Sequence, residues 1–220
     1  MIDGVIFDMD GTLLDSMYFW EQVGTTYLKT LGLQAETDLG KQLLVRSRED
    51  GAAYLKEQYH LKKSVPEIME GMHRVVHEFY ESIAQLKAGV LPFLQSLREK
   101  GIPMAVATST GRFDAECALG RLGVLPYLSF LLTSEEVGVG KTSPEIYFRA
   151  AERLGSAPEK TWVFEDVPHA AATARGAGFR VVGIYDASSV GIQYDLRDLS
   201  DYYMLDFTDF DAFYRFAATN

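Results

Sequence analysis

The sequence contains a single cysteine, Cys117, among its 220 residues. One thiol cannot form a disulfide within the chain, and a zinc module built from several cysteines is excluded as well. The neighbours of Cys117 are small or helix-forming, which is typical of a buried and unreactive thiol. We therefore expect no function that depends on cysteine chemistry.

Long hydrophobic runs are also missing. Residues 1–7 carry no basic segment, and no stretch of the chain is apolar over the length that a membrane helix needs. Internal repeats and low-complexity tracts are absent too. We expect neither a signal peptide nor a transmembrane span, no membrane partner, and a cytoplasmic location.

Positive charge is scarce, because 21 Lys and Arg residues stand against 31 Asp and Glu residues and give a formal net charge of −10 at pH 7. A surface this acidic repels phosphate backbones, so a nucleic-acid partner is not expected. A small anionic substrate would need a metal ion or a local group of Lys and Arg to offset the charge. The composition, 47% hydrophobic and 24% charged, is otherwise that of a globular protein with a core.

From Gly89 onward, short apolar runs alternate with helical patterns. The runs occupy residues 103–107, 128–132, 162–164 and 181–185. Ser143 is a candidate N-cap of the helix before the third run, with Pro144 at the first helical position. Apolar strands that alternate with helices indicate a parallel sheet covered on both faces, with residues 5–7 as its first strand. We predict an α/β fold, a doubly wound parallel sheet, built from residues 1–15 and 88–220.

Residues 16–87 show a different pattern, with several helices and no convincing strand. Ser64 and Glu67 form a capping box around Pro66, and a stripe of apolar residues at helical spacing follows. Ser47 is a candidate start of another helix. We predict that residues 16–87 are an all-helical domain inserted after the first strand.

Two acidic residues, Asp8 and Asp10, directly follow the first predicted strand. Open α/β sheets bind ligands at the carboxyl ends of their strands, so these side chains are candidates for chemistry. Residues 8–12 read Asp-Met-Asp-Gly-Thr. This segment resembles the first motif of the haloacid dehalogenase-like superfamily, which is Asp-x-Asp-Gly-Thr.

Three further motifs of that family follow in the family's order, each after an apolar run. They are Thr108 after the first run, Lys141 before the helix that Pro144 starts, and the pair Glu165 and Asp166. Each later motif is weak alone, but four in order make a strong resemblance. It spans nearly the whole chain, because the helical insertion resembles the small cap domain of the family.

The resemblance implies catalytic roles for Asp8, Asp10, Thr108 and Lys141. Asp8 would attack a phosphoryl group as the nucleophile, and Asp10 would protonate the leaving oxygen and then deprotonate the attacking water. Lys141 and the Thr108 hydroxyl would stabilise charge on the transferring oxygens. The phosphate-binding residues that the resemblance implies are Gly11, Thr108, Ser109 and Lys141.

The resemblance also implies a Mg²⁺ cofactor. Its implied ligands are Asp8, Asp166, the main-chain carbonyl of Asp10 and, directly or through water, Glu165. Together with Lys141, this ion would answer the need for local positive charge in an acidic protein.

The sequence departs from the family pattern at three positions. Thr142 stands where Pro usually follows the motif Lys, and Val167 and Ala170 stand where Ser and Gly are common. None of the three is catalytic, but the support of a metal at Glu165 can differ as a result. Residues 138–142 also end like a P-loop, but Glu135 occupies the place of its first Gly, so we reject that interpretation.

We predict a Mg²⁺-dependent phosphatase that acts on a small phosphorylated metabolite as a monomer or a weak dimer. The Gly-Thr ending of the first motif is the phosphatase-like form in the family. One alternative is a sugar-phosphate mutase of the β-phosphoglucomutase kind, which shares the cap and the motifs. An alternative of another class is a non-catalytic protein that uses the fold for binding. The cap residues that we take as candidates for substrate specificity are Tyr18, Trp20, Arg46 and Arg48.

Overall fold

The computed structural model describes residues 2–44 and 46–219. The chain divides into two compact units, one formed by Met1–Asp15 with Ala84–Asn220 and the other by Ser16–Ile83. No helix among the described residues is long and apolar enough to cross a membrane. Cys117 is half-buried, not buried as predicted, because it lies between the buried and the exposed side of its helix.

Parallel strands form the centre of the first unit. In the described part of the chain its strands are β1 (Gly4–Phe7), β2 (Leu14–Asp15), β3 (Gln85–Leu86), β4 (Met104–Thr108), β5 (Phe130–Thr133), β6 (Thr161–Glu165), β7 (Arg180–Ile184) and β8 (Tyr202–Met204). Six of them form one sheet in the order β5-β4-β1-β6-β7-β8, in which every pairing is parallel.

The second unit is built from helices. They are α1 (Met17–Trp20), α2 (Val23–Thr30), α3 (Leu39–Leu44), α4 (Arg48–Gln58) and α5 (Val65–Glu78), and a π-helical turn follows at Phe79–Ile83. The predicted caps of α4 and α5 are confirmed. Ser47 accepts a hydrogen bond from the N–H of Asp50 at 3.1 Å, and Ser64 forms the complete capping box with Glu67.

Helices surround the sheet of the first unit. They are α6 (Val90–Glu99), α7 (Arg112–Arg121), α8 (Ser134–Val137), α9 (Glu145–Leu154), α10 (Pro168–Gly176), α11 (Gln193–Leu199) and α12 (Phe210–Thr219), with 3-10 turns at Leu125–Tyr127, Pro158–Lys160 and Ala187–Ile192.

Adjacent residues of β6 show that helices cover both faces of this sheet. Val163 lies in a buried cluster with Ile146 of α9. The next residue, Phe164, contacts Phe93 of α6 and Phe213 of α12, with ring centroids 5.7 and 5.3 Å apart. Successive side chains of a strand point to opposite faces, so α9 lies on one face and α6 and α12 on the other. The predicted doubly wound parallel sheet is confirmed.

The order of the strands brings three loops together at the carboxyl edge of the sheet. From β1 the chain continues to β4 and β5 on one side and then returns to β6, β7 and β8 on the other. Phe7, the last residue of β1, is paired with Val106 of β4 and Phe164 of β6. The loops after β1, β4 and β6 therefore begin side by side, where open α/β sheets bind ligands.

The helical unit ends earlier than the predicted residue 87. Strand β2 pairs antiparallel with β3, so strands lead the chain out of the first unit and back into it. The Nζ of Lys87 lies 2.9 Å from a carboxylate oxygen of Asp186, and the two side chains are 9% and 4% exposed in the first unit. The prediction that residues 16–87 contain no strand is wrong at this end, because a strand of two residues is too short to show alternation.

Candidate active site

Asp8 and Lys141 form a buried ion pair at the carboxyl end of β1. The N–H of Asp8 donates to the carbonyl oxygen of Phe164 at 2.9 Å, so the pairing of β1 with β6 extends one residue into the loop. The Nζ of Lys141 donates to Oδ1 of Asp8 and, at 2.8 Å, to Oε1 of Glu165. Lys141 is 7% exposed and Asp8 is 8% exposed, so water reaches little of the pair.

The loop between α8 and α9 carries Lys141 to this position. Helix α8 ends at Gly138, whose φ of 83° is a left-handed conformation that glycine adopts at low cost. Pro144 occupies the N-cap position of α9, and the predicted cap, Ser143, lies one residue earlier. The Ser143 hydroxyl still accepts a hydrogen bond from the N–H of Glu145 at 3.4 Å.

Four of the predicted site residues meet in one cluster. Asp8, Glu165 and Asp166 each offer a carboxylate oxygen, these oxygens lie within 4.8 Å of one another, and Lys141 contacts two of the three residues. Among the described residues, Oε2 of Glu165 and Oδ2 of Asp166 are buried and have no hydrogen-bond partner. Buried polar atoms normally have partners, and hard divalent cations prefer oxygen ligands. The residues therefore fit a divalent metal ion.

Burial and crowding change the acidity of this cluster. Burial raises the pKa of Asp8 to about 6, because the attraction of Lys141 only partly offsets the loss of water and the repulsion of Glu165. Burial, together with repulsion from Asp8 and Glu165, raises the pKa of Asp166 well above its ordinary value. Burial alone would lower the pKa of Lys141, but the two neighbouring carboxylates outweigh it and raise that pKa. The site thus gathers three carboxyl groups around one ammonium group.

Two hydroxyl groups that sequence analysis missed touch the acidic cluster. The hydroxyl of Tyr147, a fully buried residue of α9, donates to Oε1 of Glu165 at 2.7 Å, and that of Thr12 donates to Oδ1 of Asp166 at 3.5 Å. Tyr147 follows Lys141 by six positions in the helix that Pro144 begins. The sequence shows it only as one apolar position of an amphipathic helix, so no signal separates it from a core residue.

A tight turn shapes the loop after β1 that contains Asp10. The N–H of Leu14 donates to the carbonyl oxygen of Met9 at 2.9 Å, and the N–H of Gly11 donates to that of Leu14 at 3.0 Å. Gly11 has a φ of 76°, which favours glycine at this position. Its N–H already donates to a hydrogen bond within the turn, so the role of Gly11 that the structure supports is to shape the loop. Asp10 is half-buried, and its Oδ2 accepts a hydrogen bond from the hydroxyl of Thr110 at 2.7 Å.

The loop after β4 contains the two other predicted phosphate ligands. Thr108 is buried at the end of the strand, and its hydroxyl oxygen accepts a hydrogen bond from the N–H of Thr110 at 3.0 Å. Ser109 is exposed, and its hydroxyl lies 3.3 Å from that of Ser134 at the start of α8. The structure therefore links Thr108 to Asp10 through Thr110, a residue that sequence analysis passed over.

The predicted specificity residues lie in the helical unit. The guanidinium group of Arg46 stacks over the ring of Tyr54, 4.3 Å from its centroid. Arg48 is the first residue of α4 and is exposed, and Tyr18 is 44% exposed. Trp20 is half-buried. Of the four predicted specificity residues, Arg48 and Tyr18 are thus the two that are exposed to solvent.

The chain is similar to a known protein family and to known phosphatases. Residues 2–178 match the model of the family described as haloacid dehalogenase-like hydrolase. A phosphorylated carbohydrates phosphatase of Thermotoga maritima is 29% identical over 191 residues, which cover 86% of this chain and 88% of that protein. Hexitol phosphatase A of Escherichia coli is 31% identical over 188 residues, which cover 82% of each chain.

The fold also resembles that of a solved structure. The crystal structure of a putative β-phosphoglucomutase from Thermotoga maritima superposes with a TM-score of 0.86 at 26% sequence identity. The superposition covers 97% of this chain and 99% of that chain.

Replacing Lys141 by Met should lower the free energy of unfolding by about 3 kcal/mol in the presence of a chelator, because the change leaves buried carboxylates without their partner. Urea denaturation at neutral pH measures the loss. Lys160→Met is the matched control, since Lys160 pairs with Asp3 at 3.3 Å but its side chain is 51% exposed, and its loss should stay below about 1 kcal/mol. Equal small losses for the two variants would contradict the role of Lys141.

Proposed function

The chain belongs to the haloacid dehalogenase-like hydrolase family, and from that premise we propose that it hydrolyses small phosphate monoesters with Asp8 as the nucleophile. The observation that carries the proposal is the buried contact of Asp8 with Lys141. A carboxylate beside an ammonium group can approach a phosphoryl group, because the ammonium offsets the negative charge of both.

The proposed reaction has two steps. In the first, an oxygen of Asp8 bonds to phosphorus while the bond between phosphorus and the ester oxygen breaks, and Asp10 gives a proton to that oxygen. The product leaves as an alcohol. In the second, water attacks phosphorus and gives a proton to Asp10, and the bond between Asp8 and phosphorus breaks to release phosphate.

Lys141 and Thr108 stabilise the transferring oxygens in this scheme. The ammonium of Lys141 already lies at the nucleophile, so it needs no movement to face the phosphoryl group. The Thr108 oxygen accepts from the N–H of Thr110, which leaves its own hydrogen for another acceptor. Both residues thus offer donors to a phosphate at the ends of β1 and β4. Ser109, which is exposed, is the more peripheral candidate.

We propose Mg²⁺ as the cofactor. The carboxylates of Asp8 and Asp166 and the carbonyl of Asp10 would hold it, with Glu165 as a direct or water-mediated ligand. The buried atoms Oε2 of Glu165 and Oδ2 of Asp166, which lack partners among the described residues, support this assignment. When bound, Mg²⁺ supplies positive charge that offsets the charge of the substrate phosphate.

A phosphorylated carbohydrate is the substrate class that we propose. The names of two relatives, a phosphorylated carbohydrates phosphatase and a hexitol phosphatase, support it. Each is aligned over more than four fifths of its length, so the similarity extends across the helical unit as well as the sheet.

A sugar-phosphate mutase is the second candidate, favoured by the similarity to the putative β-phosphoglucomutase. A mutase returns the phosphoryl group to another hydroxyl of the sugar, so free phosphate does not accumulate. The non-catalytic alternative loses support, because the relatives are named as enzymes and every residue of the first step is present.

Purified protein with Mg²⁺ should release free phosphate from at least one sugar or sugar-alcohol phosphate in a panel that includes hexose 1-phosphates. Asp8→Asn should lower kcat by at least about 10³-fold, because an amide cannot form the acyl phosphate. Asp15→Asn, an exposed position in the same segment, is the control and should keep wild-type activity. Conversion of a hexose phosphate without release of free phosphate would favour the mutase. An active Asp8→Asn variant would contradict the covalent mechanism.

Mg²⁺ should bind the purified protein in the absence of substrate, and Asp166→Asn should weaken that binding at least about tenfold, because it removes a charged ligand. Isothermal titration calorimetry measures both affinities. Asp206→Asn, which removes an acidic side chain outside the cluster, should leave the affinity unchanged. No difference between the two variants would argue against Asp166 as a ligand.

Arg48 is the residue of the helical unit that we propose for substrate selection. If it binds the sugar, Arg48→Ala should lower kcat/KM for the preferred carbohydrate ester about tenfold, the value of one charged hydrogen bond. Hydrolysis of p-nitrophenyl phosphate, which lacks the sugar, should change little. Arg149→Ala is the control, since Arg149 is a partly exposed residue paired with Glu145 within α9. Identical kinetics of Arg48→Ala and wild type on every ester would remove Arg48 from the site.

A further inference from the structure

Thr110 makes a partly buried contact with Asp10, the proposed acid and base of the reaction. It lies two residues beyond the end of β4, is 5% exposed, and donates from its hydroxyl to Oδ2 of Asp10 at 2.7 Å. The two residues are 100 positions apart in the chain. Burial of a polar side chain in a loop requires a partner, and Asp10 supplies one.

The backbone holds Thr110 in place for this contact. Its N–H donates to the hydroxyl oxygen of Thr108, so the loop folds back on the end of β4. Asp10 is held from the other side by the turn that contains Gly11. Since β1 and β4 are neighbours in the sheet, the hydrogen bond joins two loops that are each tied to a rigid strand.

A donor at one carboxyl oxygen distinguishes the two oxygens of Asp10. When the Thr110 hydroxyl donates to Oδ2, that oxygen acts as an acceptor, and the proton of the acid form belongs on Oδ1. The same bond fixes the rotation of the carboxyl group. A fixed carboxyl group favours protonation of a leaving oxygen, because proton transfer requires one defined atom to lie at hydrogen-bond distance from that oxygen.

We propose that Thr110 is a positioning residue that orients Asp10 so that Oδ1 protonates the leaving oxygen. This inference rests on the proposed function, since it assigns Asp10 the role of proton donor in the first step. The proton moves from Oδ1 of Asp10 to the ester oxygen as the bond between that oxygen and phosphorus breaks.

Leaving groups of different basicity separate this role from a structural one. An alkoxide is a strong base and needs the proton of Asp10 as it leaves, whereas p-nitrophenolate is a weak base and leaves without it. The parameter to compare is kcat/KM, because it covers the steps up to the first irreversible one, the loss of the leaving group. The later attack of water does not enter it.

Thr110→Val is the main variant, since valine keeps the shape of the side chain and removes the hydroxyl. We expect kcat/KM for the best alkyl phosphate of the panel to fall about tenfold to a hundredfold. For p-nitrophenyl phosphate we expect a loss below about threefold, so the ratio of the two values changes. Thr110→Ser restores the hydroxyl and should restore the ratio to within about threefold of wild type.

Both esters are assayed on the same protein sample, so a misfolded fraction cancels from the ratio. Thr110→Ala serves as a second variant if valine prevents folding, with thermal unfolding as the check on both. Thr208→Val is the matched control, because Thr208 also donates its hydroxyl to an aspartate, Asp206, but on an exposed loop. It should leave both values of kcat/KM unchanged.

Each outcome decides a different question. Equal losses on the two esters, or no loss on either, would overturn the role of Thr110 while leaving the phosphatase in place. Failure of Thr110→Ser to restore the ratio would overturn it as well. A wild-type protein that hydrolyses neither ester would refute the proposed function and with it the inference.

Discussion

The site depends on the pairing of the buried Lys141 ammonium group with the carboxylates around it. It lies within hydrogen-bond distance of both Asp8 and Glu165, and Asp166 completes the group of carboxyl groups around it. Several carboxylates buried together are costly unless positive charge is close, because each loses its hydration and repels the others. Lys141 thus allows the fold to keep Asp8, the proposed nucleophile, and a set of potential metal ligands out of water.

The same local charge explains how an acidic protein can act on an anion. A formal net charge of −10 is spread over the surface, and salt screens it beyond roughly 10 Å. Lys141 acts at contact distance in a buried site, where its field is stronger. The overall charge therefore disfavours large anionic partners, whereas the buried cluster provides positive charge at one local site.

Strand order turns distant residues into neighbours. Asp8 and Lys141 are 133 positions apart, yet they pair because the loop between α8 and α9 brings Lys141 to the carboxyl end of β1, a central strand of the sheet. Each loop at this edge then adds one element: a carboxylate and a tight turn after β1, hydroxyl groups after β4, and two more carboxylates after β6. Rigid strands beneath the loops keep these groups in register, which favours reactions that need exact distances.

Periodicity was enough to predict the α/β class, the inserted helices and the acidic pair that begins with Asp8, because that signal is local: apolar runs form buried strands, and polar residues at their ends face the edge of the sheet. Lys141, Glu165 and Asp166 were predicted from the resemblance of their motifs to those of a known family, because none of these motifs is distinctive alone. The two-residue strands β2 and β3 and the short edge strand β8 escaped prediction, since they are too short to carry a pattern. Only the tertiary structure showed that Tyr147 touches Glu165 and that Thr110 touches Asp10. Such contacts join residues far apart in the chain, and what decides them is which strands lie side by side and which face of a helix turns inward.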